Sequence, residues 1–258
     1  MKATNSSNPP RPPGGRGDFL GLPLDDPGID GLIDWLAPPP GAPPHAPRVA
    51  GYLNAHTANL ALRSGSDLGP MLREFDLVYP DGMAVVRAAR RRGVPSRERV
   101  SAGDFFGRLC WAAAARGRTM ALVGGPPGLA DRCAEELRRR TPGLNIAMTH
   151  HGFVAPGSPE RIALKEKLLA ARPDIVLVGM GSPQQEALAL ELRAAGLPTT
   201  WCVGALFEYF TPGIRPHAPL WMRAAGLEWL FRLVQEPRRL AKRYLIGNVE
   251  FLLRTRSG

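Results

Sequence analysis

Residues 175–186 of the 258-residue chain combine an apolar run, a glycine turn and a group of polar side chains. The run Ile175–Val178 predicts a strand that is buried on both faces of a parallel sheet. Gly181 allows a tight turn before a helix, whose N-terminal N–H groups suit a phosphate. Gln185 and Glu186 would then face the ligand with an amide and a carboxylate. An ordinary strand-to-helix turn with solvated polar side chains explains this segment alone equally well.

A second candidate for chemistry is the carboxylate of Asp81. It follows a short predicted strand, and Pro80 and Gly82 restrict the backbone on either side, so the side chain should point into a cleft. A carboxylate in such a place can take a proton from an attacking hydroxyl group. The alternative is a helix cap for the helix that begins at Met83, and these residues alone favour the cap.

These side chains need a scaffold that brings strand ends together. Between residues 48 and 203, predicted strands alternate with predicted helices, which indicates an α/β fold with a Rossmann-like, mostly parallel sheet flanked by helices. Residues 19–24 predict one earlier strand. The predicted organisation is a disordered N-terminal tail at 1–17, a Rossmann-like domain at 18–210 and a basic helical appendage at 211–258.

The positive charge is concentrated in the appendage. The chain has a net charge of +10, and residues 223–258 hold eight basic and three acidic side chains, which is half of that charge. Two helices are predicted there, at 220–233 and 238–253, split at Pro237. Basic helices with interleaved aromatic residues are typical of an anionic membrane surface. The alternative is an appendage that packs its apolar side on the main domain and leaves its arginines in solvent.

Other features of the composition exclude some classes of protein. No run of 18 uncharged apolar residues is present, and the first ten residues lack the apolar core of a signal peptide. Three widely spaced cysteines in apolar contexts predict buried thiols of a cytosolic protein, without a disulfide frame or a zinc site. The basic residues do not form a recognised nucleic-acid-binding module.

Four blocks, in this order, are similar to one family. They are Tyr79-Pro-Asp-Gly82, Arg99-Val-Ser-Ala-Gly-Asp104, Gly179-Met-Gly-Ser-Pro-Gln-Gln-Glu186 and Gly226-Leu-Glu-Trp-Leu-Phe-Arg-Leu233. Together they resemble the WecG/TagA/CpsF glycosyltransferases (glycosyltransferase family 26), from about Phe19 to Leu253. The resemblance implies transfer of a sugar, of the N-acetylhexosamine type, from a UDP-sugar to a polyprenyl-diphosphate-linked acceptor. It also implies inversion at the anomeric carbon, no metal or other cofactor, and a peripheral location at the cytoplasmic face of the plasma membrane.

The resemblance also assigns residues. Asp81 is the position of the family's proposed base, which reverses the preference for a helix cap, and Arg99 matches an arginine near the active site. Asp104 would hold Arg99 or cap its own helix. Substrate contacts are expected from the motif residues Asn54, Gly82, Gly124, Gly125, Gly181, Gln185 and Glu186. The diphosphate groups are expected at three arginines of the appendage, Arg232, Arg239 and Arg243, which would close over the site.

Some positions depart from the family pattern. Tyr52 stands where the family commonly has threonine, Gln184 where it has lysine, and His217 where it has arginine. The donor sugar, the polymer and the formation of a homo-oligomer therefore stay open. Two alternatives remain at this stage. One is a nucleotide-binding oxidoreductase, for which residues 123–128 of this chain offer only part of the required glycine fingerprint. The other is a membrane-surface protein without catalysis, which would need only the basic appendage.

Overall fold

A parallel six-stranded sheet forms the centre of the protein. The computed structural model describes residues 14–219, 221–222 and 227–256, with the backbone but not the side chains of residues 239, 242 and 243. The predicted tail lies mostly outside the described residues. The strands are β3 (Arg48–Leu53), β4 (Leu77–Pro80), β5 (Thr119–Gly124), β6 (Asn145–His150), β7 (Ile175–Gly179) and β8 (Thr199–Cys202). Their order is β4-β3-β8-β7-β5-β6, and every pairing is parallel.

Helices cover both faces of this sheet, which confirms the predicted α/β class. In the described residues they are α1 (Gly28–Leu36), α2 (Ala55–Ala61), α3 (Leu68–Arg73), α4 (Met83–Arg91), α5 (Ala102–Ala115), α6 (Leu129–Arg140), α7 (Pro159–Ala171), α8 (Gln184–Ala194) and α9 (Leu206–Phe210). The C-terminal part adds α10 (Glu228–Gln235), α11 (Pro237–Ala241), a π-helical turn (Lys242–Ile246) and α12 (Gly247–Arg256).

The sheet is buried because its central strands are apolar on both sides. All four residues of Ile175–Val178 are fully buried, as the continuous apolar run predicts. One face packs against α1, α5 and α6, and the other against α2, α4 and α8. A buried hydrogen bond from Trp201 Nε1 to the hydroxyl of Tyr79 (3.0 Å) joins side chains of β8 and β4. Because all six strands are parallel, their carboxyl ends lie at one edge of the sheet.

The single strand predicted at residues 19–24 is wrong. The chain forms an antiparallel hairpin instead, with β1 at Arg16–Phe19 and β2 at Leu22–Asp25. Leu20 and Gly21 both have positive φ angles (60° and 78°), as a two-residue hairpin turn requires. The Gly21 N–H donates to Asp18 Oδ1 (2.8 Å) and stabilises the turn. In residues 19–24 a single glycine stands among apolar residues, and this local pattern does not indicate a hairpin.

The C-terminal part docks on the main domain through α12. Phe251 is buried and its ring lies 6.3 Å from that of Phe19, and Asn59 Nδ2 donates to the carbonyl of Gly247 (2.6 Å). The structure is helical throughout the predicted 238–253, but a π-helical turn, which the sequence did not predict, lies within this helix just before the contact. Among the described residues, no helix has the length and apolar character needed to cross a membrane.

Candidate functional site

A cavity of about 390 Å³ lies at the carboxyl edge of the sheet. Five strands reach it, each through a residue at or just beyond its end: Asn54 after β3, Asp81 after β4, Gly125 after β5, Gly181 after β7 and Gly204 after β8. The C-terminal part contributes the opposite wall. Open α/β sheets bind ligands at this edge, where crossovers leave in opposite directions.

Asp81 is held at the end of β4 by backbone hydrogen bonds. Its N–H donates to the carbonyl of Leu53 (2.9 Å), so the chain continues the strand for one more residue. Gly82 then turns with φ of 111° and is the N-cap residue of α4, where no side chain caps the helix. The helix-cap alternative for Asp81 therefore does not describe this structure. Its carboxylate lines the cavity.

Asn54 lines the same cavity as Asp81 and begins the neighbouring helix α2. Its Oδ1 accepts hydrogen bonds from the N–H groups of His56 and Thr57, both at 3.0 Å, and so caps α2. Thr57 Oγ1 accepts from the Asn54 N–H in return (2.8 Å). The Asn54 side chain also acts on Asp81, whose pKa it lowers. The predicted site residue Asn54 thus both starts a helix and lies beside the candidate base.

The environment of Asp81 makes it a stronger base than an ordinary aspartate. Burial raises the pKa of Asp81 above its usual value, and the nearby charge of Glu228 adds to this rise. The positive charges of Arg232 and Arg99 and the hydrogen bond from Asn54 act in the opposite direction without cancelling it. A base works best when its pKa lies close to the working pH, so the direction of this shift suits proton transfer.

Two predicted arginines meet beside Asp81, held by carboxylates. Arg99 is brought there because the N–H of Val100 donates to the carbonyl of Pro80 (3.0 Å), at the end of β4. It pairs with Asp104, as the sequence predicted, and with Glu228 (3.0 Å). Arg232 pairs with the same glutamate. The side chains of Arg239 and Arg243 lie outside the described residues, so their roles stay predictions.

Arg232 and a second arginine, Arg215, share an aromatic platform. The Tyr209 ring lies 5.0 Å from the guanidinium carbon of Arg232 and 5.5 Å from that of Arg215. Arg215 also pairs with Glu208 (2.7 Å) and Glu236 (2.6 Å). Both arginines line the cavity, together with their partners Glu208 and Glu228.

The glycines of β5 and β7 allow these two strand ends to touch. Gly124 has φ of 155°, and a Cβ atom on it would lie 2.3 Å from the carbonyl oxygen of Gly179. The next residue, Gly125, donates its N–H to that same oxygen (3.1 Å) and lines the cavity. Gly124 itself is thus required by the packing of the two strands, whereas Gly125 and Gly181 form the cavity wall.

Gln185 and Glu186 lie beneath the turn rather than on the cavity wall. Both are buried. Gln185 Oε1 accepts from the Gly204 N–H (3.0 Å), and its amide nitrogen donates to Glu186 (2.9 Å) and contacts the Tyr52 hydroxyl (3.4 Å). Burial raises the pKa of Glu186, and the hydrogen bonds from Gln185 and Ser182, which lower it, do not cancel this effect. The structure therefore places this pair where it fixes the ends of β7, β8 and β3.

A second cavity of about 580 Å³ adjoins the first. It lies between α4, α10 and α12, and much of its wall is apolar, including Met83, Trp229, Leu245, Val249 and Leu252. Arg87, Arg91 and Arg99 stand around it. The two cavities share six lining residues: Asn54, His56, Asp81, Glu228, Arg232 and Tyr244. Asp81 is therefore accessible from a polar cavity on one side and a largely apolar one on the other.

Sequence reasoning missed several of these residues. Glu228 was predicted to belong to a family motif but was given no role of its own. No role was predicted for Tyr209 or Tyr244. The spacing of Glu228 and Arg232, four residues apart on a helix, could have indicated their ion pair. No local signal connects Glu228 with Arg99, which lies 129 residues away.

The arrangement can support displacement at a carbon centre by a hydroxyl group. A carboxylate of raised pKa lies between two cavities, and arginines that could stabilise a departing anion line the same space. Among the described residues, no group of three His, Cys, Asp or Glu side chains is arranged to hold a metal ion.

The comparison with protein families agrees with this chemistry. Residues 18–257 match the profile of the Glycosyl transferase WecG/TagA/CpsF family, which covers nearly the whole chain and includes all the cavity residues named above. The chain therefore belongs to the WecG/TagA/CpsF family and is a glycosyltransferase of cell-surface polysaccharide synthesis.

Proposed function

We propose that this glycosyltransferase moves a sugar of the N-acetylhexosamine type from a UDP-sugar to a polyprenyl-diphosphate-linked acceptor, with inversion and without a metal ion. The observation that carries the proposal is the position of Asp81, whose carboxylate lines both a polar cavity at the strand ends and an apolar cavity under the appendage. One cavity suits a nucleotide-sugar, and the other suits a lipid-linked acceptor.

The polar cavity supports a role as the donor site. Gly125 and Gly181 let a ligand approach the backbone, and Gln184 at the start of α8 lines the same wall. Arg215 and Arg232 face this space with positive charge. A departing UDP carries negative charge that these guanidinium groups would stabilise, in the role that a divalent metal ion plays in other transferases.

Asp81 would carry out the proton transfer in a single displacement. The acceptor hydroxyl attacks the anomeric carbon from the face opposite UDP, and a new C–O bond forms as the bond to the diphosphate oxygen breaks. The hydroxyl proton passes to the Asp81 carboxylate, and the bonding electrons leave with UDP. Attack from the opposite face inverts the configuration of the sugar.

The apolar cavity and the appendage support a lipid-linked acceptor at a membrane. Apolar side chains of the π-helical turn and α12 are exposed although α12 is docked through Phe251: Leu245, Ile246, Val249, Leu252 and Leu253. Basic side chains stand nearby, including Arg87 and Arg91 of α4. Such a surface suits the anionic inner face of the plasma membrane, where the acceptor lipid would reach the site from the side.

The test is a donor screen with the purified full-length protein. UDP-sugars and GDP-sugars are offered with a short-chain polyprenyl-diphosphate-GlcNAc acceptor, and release of nucleoside diphosphate is measured in EDTA. We expect release with one UDP-sugar, dependent on the acceptor and lost in Asp81→Ala, with the product linkage inverted by NMR. A requirement for added metal, or a product with retained configuration, would contradict the proposed mechanism.

The same screen separates this proposal from the alternatives that the sequence raised. A membrane-surface protein without catalysis would bind vesicles and release no nucleotide with any donor, and Asp81→Ala would not change its binding. Family membership already favours a transferase over a nucleotide-binding oxidoreductase.

A further inference from the structure

We propose that Glu228 is a positioning residue that keeps Asp81 an effective base by engaging the two arginines, Arg99 and Arg232, that stand beside it. The kinetic part of this inference rests on the proposed function. The electrostatic part does not, because it concerns the titration of Asp81 in the protein without substrate.

The geometry of Glu228 gives each arginine its own oxygen. Oε2 accepts from Arg99 Nη1 (3.0 Å), and Oε1 accepts from Arg232 Nη2 (2.7 Å). Arg99 belongs to the main domain, at the start of the segment leading into α5, whereas Glu228 and Arg232 belong to α10. Glu228, Arg232 and Asp81 line both cavities. The glutamate therefore joins the appendage to the main domain at the place where the donor and acceptor would meet.

The charges around Asp81 explain why this matters for proton transfer. Two unopposed guanidinium groups would stabilise the ionised carboxylate and make it a weak base. Glu228 offsets part of that charge, and it raises the pKa of Asp81 directly by repulsion. A diphosphate could still bind the arginines, because it can compete with Glu228 for them.

Other groups near Asp81 do not replace this effect. The two cavities beside Asp81 are lined by these titratable or charged groups: Tyr52, His56, Tyr79, Arg87, Arg91, Arg99, Asp104, Glu208, Tyr209, Arg215, His217, Glu228, Arg232 and Tyr244. Of the three carboxylates among them, Glu228 is the one whose charge raises the pKa of Asp81. Asp104 pairs with Arg99, and Glu208 pairs with Arg215.

The two arginines favour the ionised form of Glu228. Burial alone would raise the pKa of Glu228, but the charges of Arg232 and Arg99 and their hydrogen bonds outweigh burial and hold it below the usual range. The pKa of Asp81 is shifted upward. The two pKa values are thus shifted in opposite directions, and the ionised Glu228 repels the negative charge that Asp81 acquires as the pH rises.

The experiment compares Glu228→Gln with Glu250→Gln. Glu250 is a matched control, because it also accepts from an arginine of the main domain, Arg63 (3.3 Å), and from an arginine four residues later, Arg254 (3.1 Å). It lines neither cavity. The first readout is a carboxyl ¹³C NMR titration of the substrate-free protein, in which the Asp81 signal is assigned by its loss in Asp81→Asn.

We expect Asp81 to titrate at lower pH in Glu228→Gln than in the unaltered protein. In Glu250→Gln it should titrate at the same pH as in the unaltered protein. The acid limb of the kcat profile should move in the same direction. We expect the kcat plateau to fall by roughly tenfold, a part of the ~10²–10⁴-fold effect of a general base. KM for the UDP-sugar should be unchanged or lower, because Arg232 is released to its diphosphate. Glu228→Asp should recover the titration and much of kcat.

An Asp81 titration that is the same in Glu228→Gln and the unaltered protein would overturn the inference, as would an equal shift in Glu250→Gln. Circular dichroism shows whether each variant is folded, and Glu228→Ser supplies a second uncharged replacement if glutamine is not tolerated. Absence of transfer by the unaltered protein with every donor would contradict the proposed function, while the NMR titration would still decide the role of Glu228.

Discussion

Replacing Asp81 with asparagine exchanges one carboxylate oxygen for an amide nitrogen and leaves the shape of the side chain nearly unchanged. Because an amide cannot take the acceptor proton, we expect kcat to fall by ~10²–10⁴-fold, which is about 3–5 kcal/mol of transition-state free energy. KM should change little, since the arginines and glycine turns that line the donor cavity are retained.

The same change should act on stability in the opposite direction. The pKa of Asp81 is raised in the folded protein, so its contribution to stability is complete below the unfolded pKa and is lost as the pH rises through the folded pKa. At neutral pH the unaltered protein carries this loss, whereas the neutral asparagine does not. We therefore expect Tm of Asp81→Asn at pH 7 to equal or exceed that of the unaltered protein, with the difference disappearing at low pH.

The assay combines steady-state kinetics with thermal unfolding from pH 4 to pH 8. Asp104→Asn is the control, because it removes another carboxylate of the same cavity that pairs with Arg99 but is not placed to act as the base. It should lose far less kcat than Asp81→Asn. The reasoning would be refuted if Asp81→Asn kept more than a tenth of kcat, or if it unfolded at a lower temperature than the unaltered protein at pH 7.

Three further changes test the fold and the appendage. Gly124→Ala should unfold at lower urea concentration, because its Cβ would meet the Gly179 carbonyl. Backbone strain alone should lower the free energy of unfolding by about 1–3 kcal/mol. Gly107→Ala in α5 is the control: its Cβ meets nothing within 4 Å, and the free energy of unfolding should rise by about 0.4–1 kcal/mol. Phe251→Ala should cost about 3–5 kcal/mol in the docking of α12, seen as faster proteolysis of the appendage without cleavage in the sheet. Deleting residues 220–258 should abolish sedimentation with anionic vesicles, and high salt should weaken binding of the full chain; equal binding by the truncated protein would contradict a membrane role for the appendage.

Much of the fold could be predicted from apolar patterning. Strands and helices alternate between residues 48 and 203 as the sequence predicted, because apolar runs and amphipathic segments carry their own periodicity. Shorter elements were missed. Leu68–Arg73 and Leu206–Phe210 form helices too short for a clear period.

The motif residues were recognisable one by one, but their roles depend on contacts between distant segments. Asp81 could be proposed as a base because of its strand-end position and its motif. Whether it caps a helix was decided by the turn at Gly82, which carries the N-cap position itself. Gln185 and Glu186 are polar, yet the packing of β7 against β8 buries them beneath the turn.

The sequence by itself determined the α/β class, the family and the identity of the candidate base, because these follow from local patterns and ordered motifs. Only the tertiary structure decided the electrostatics of the site. Docking of α12 on α2 accompanies the placement of Glu228 between Arg99 and Arg232, and these three charges together with burial set the basicity of Asp81. Such interactions depend on distance in space and on exclusion of water, and neither quantity is encoded at any single position of the chain.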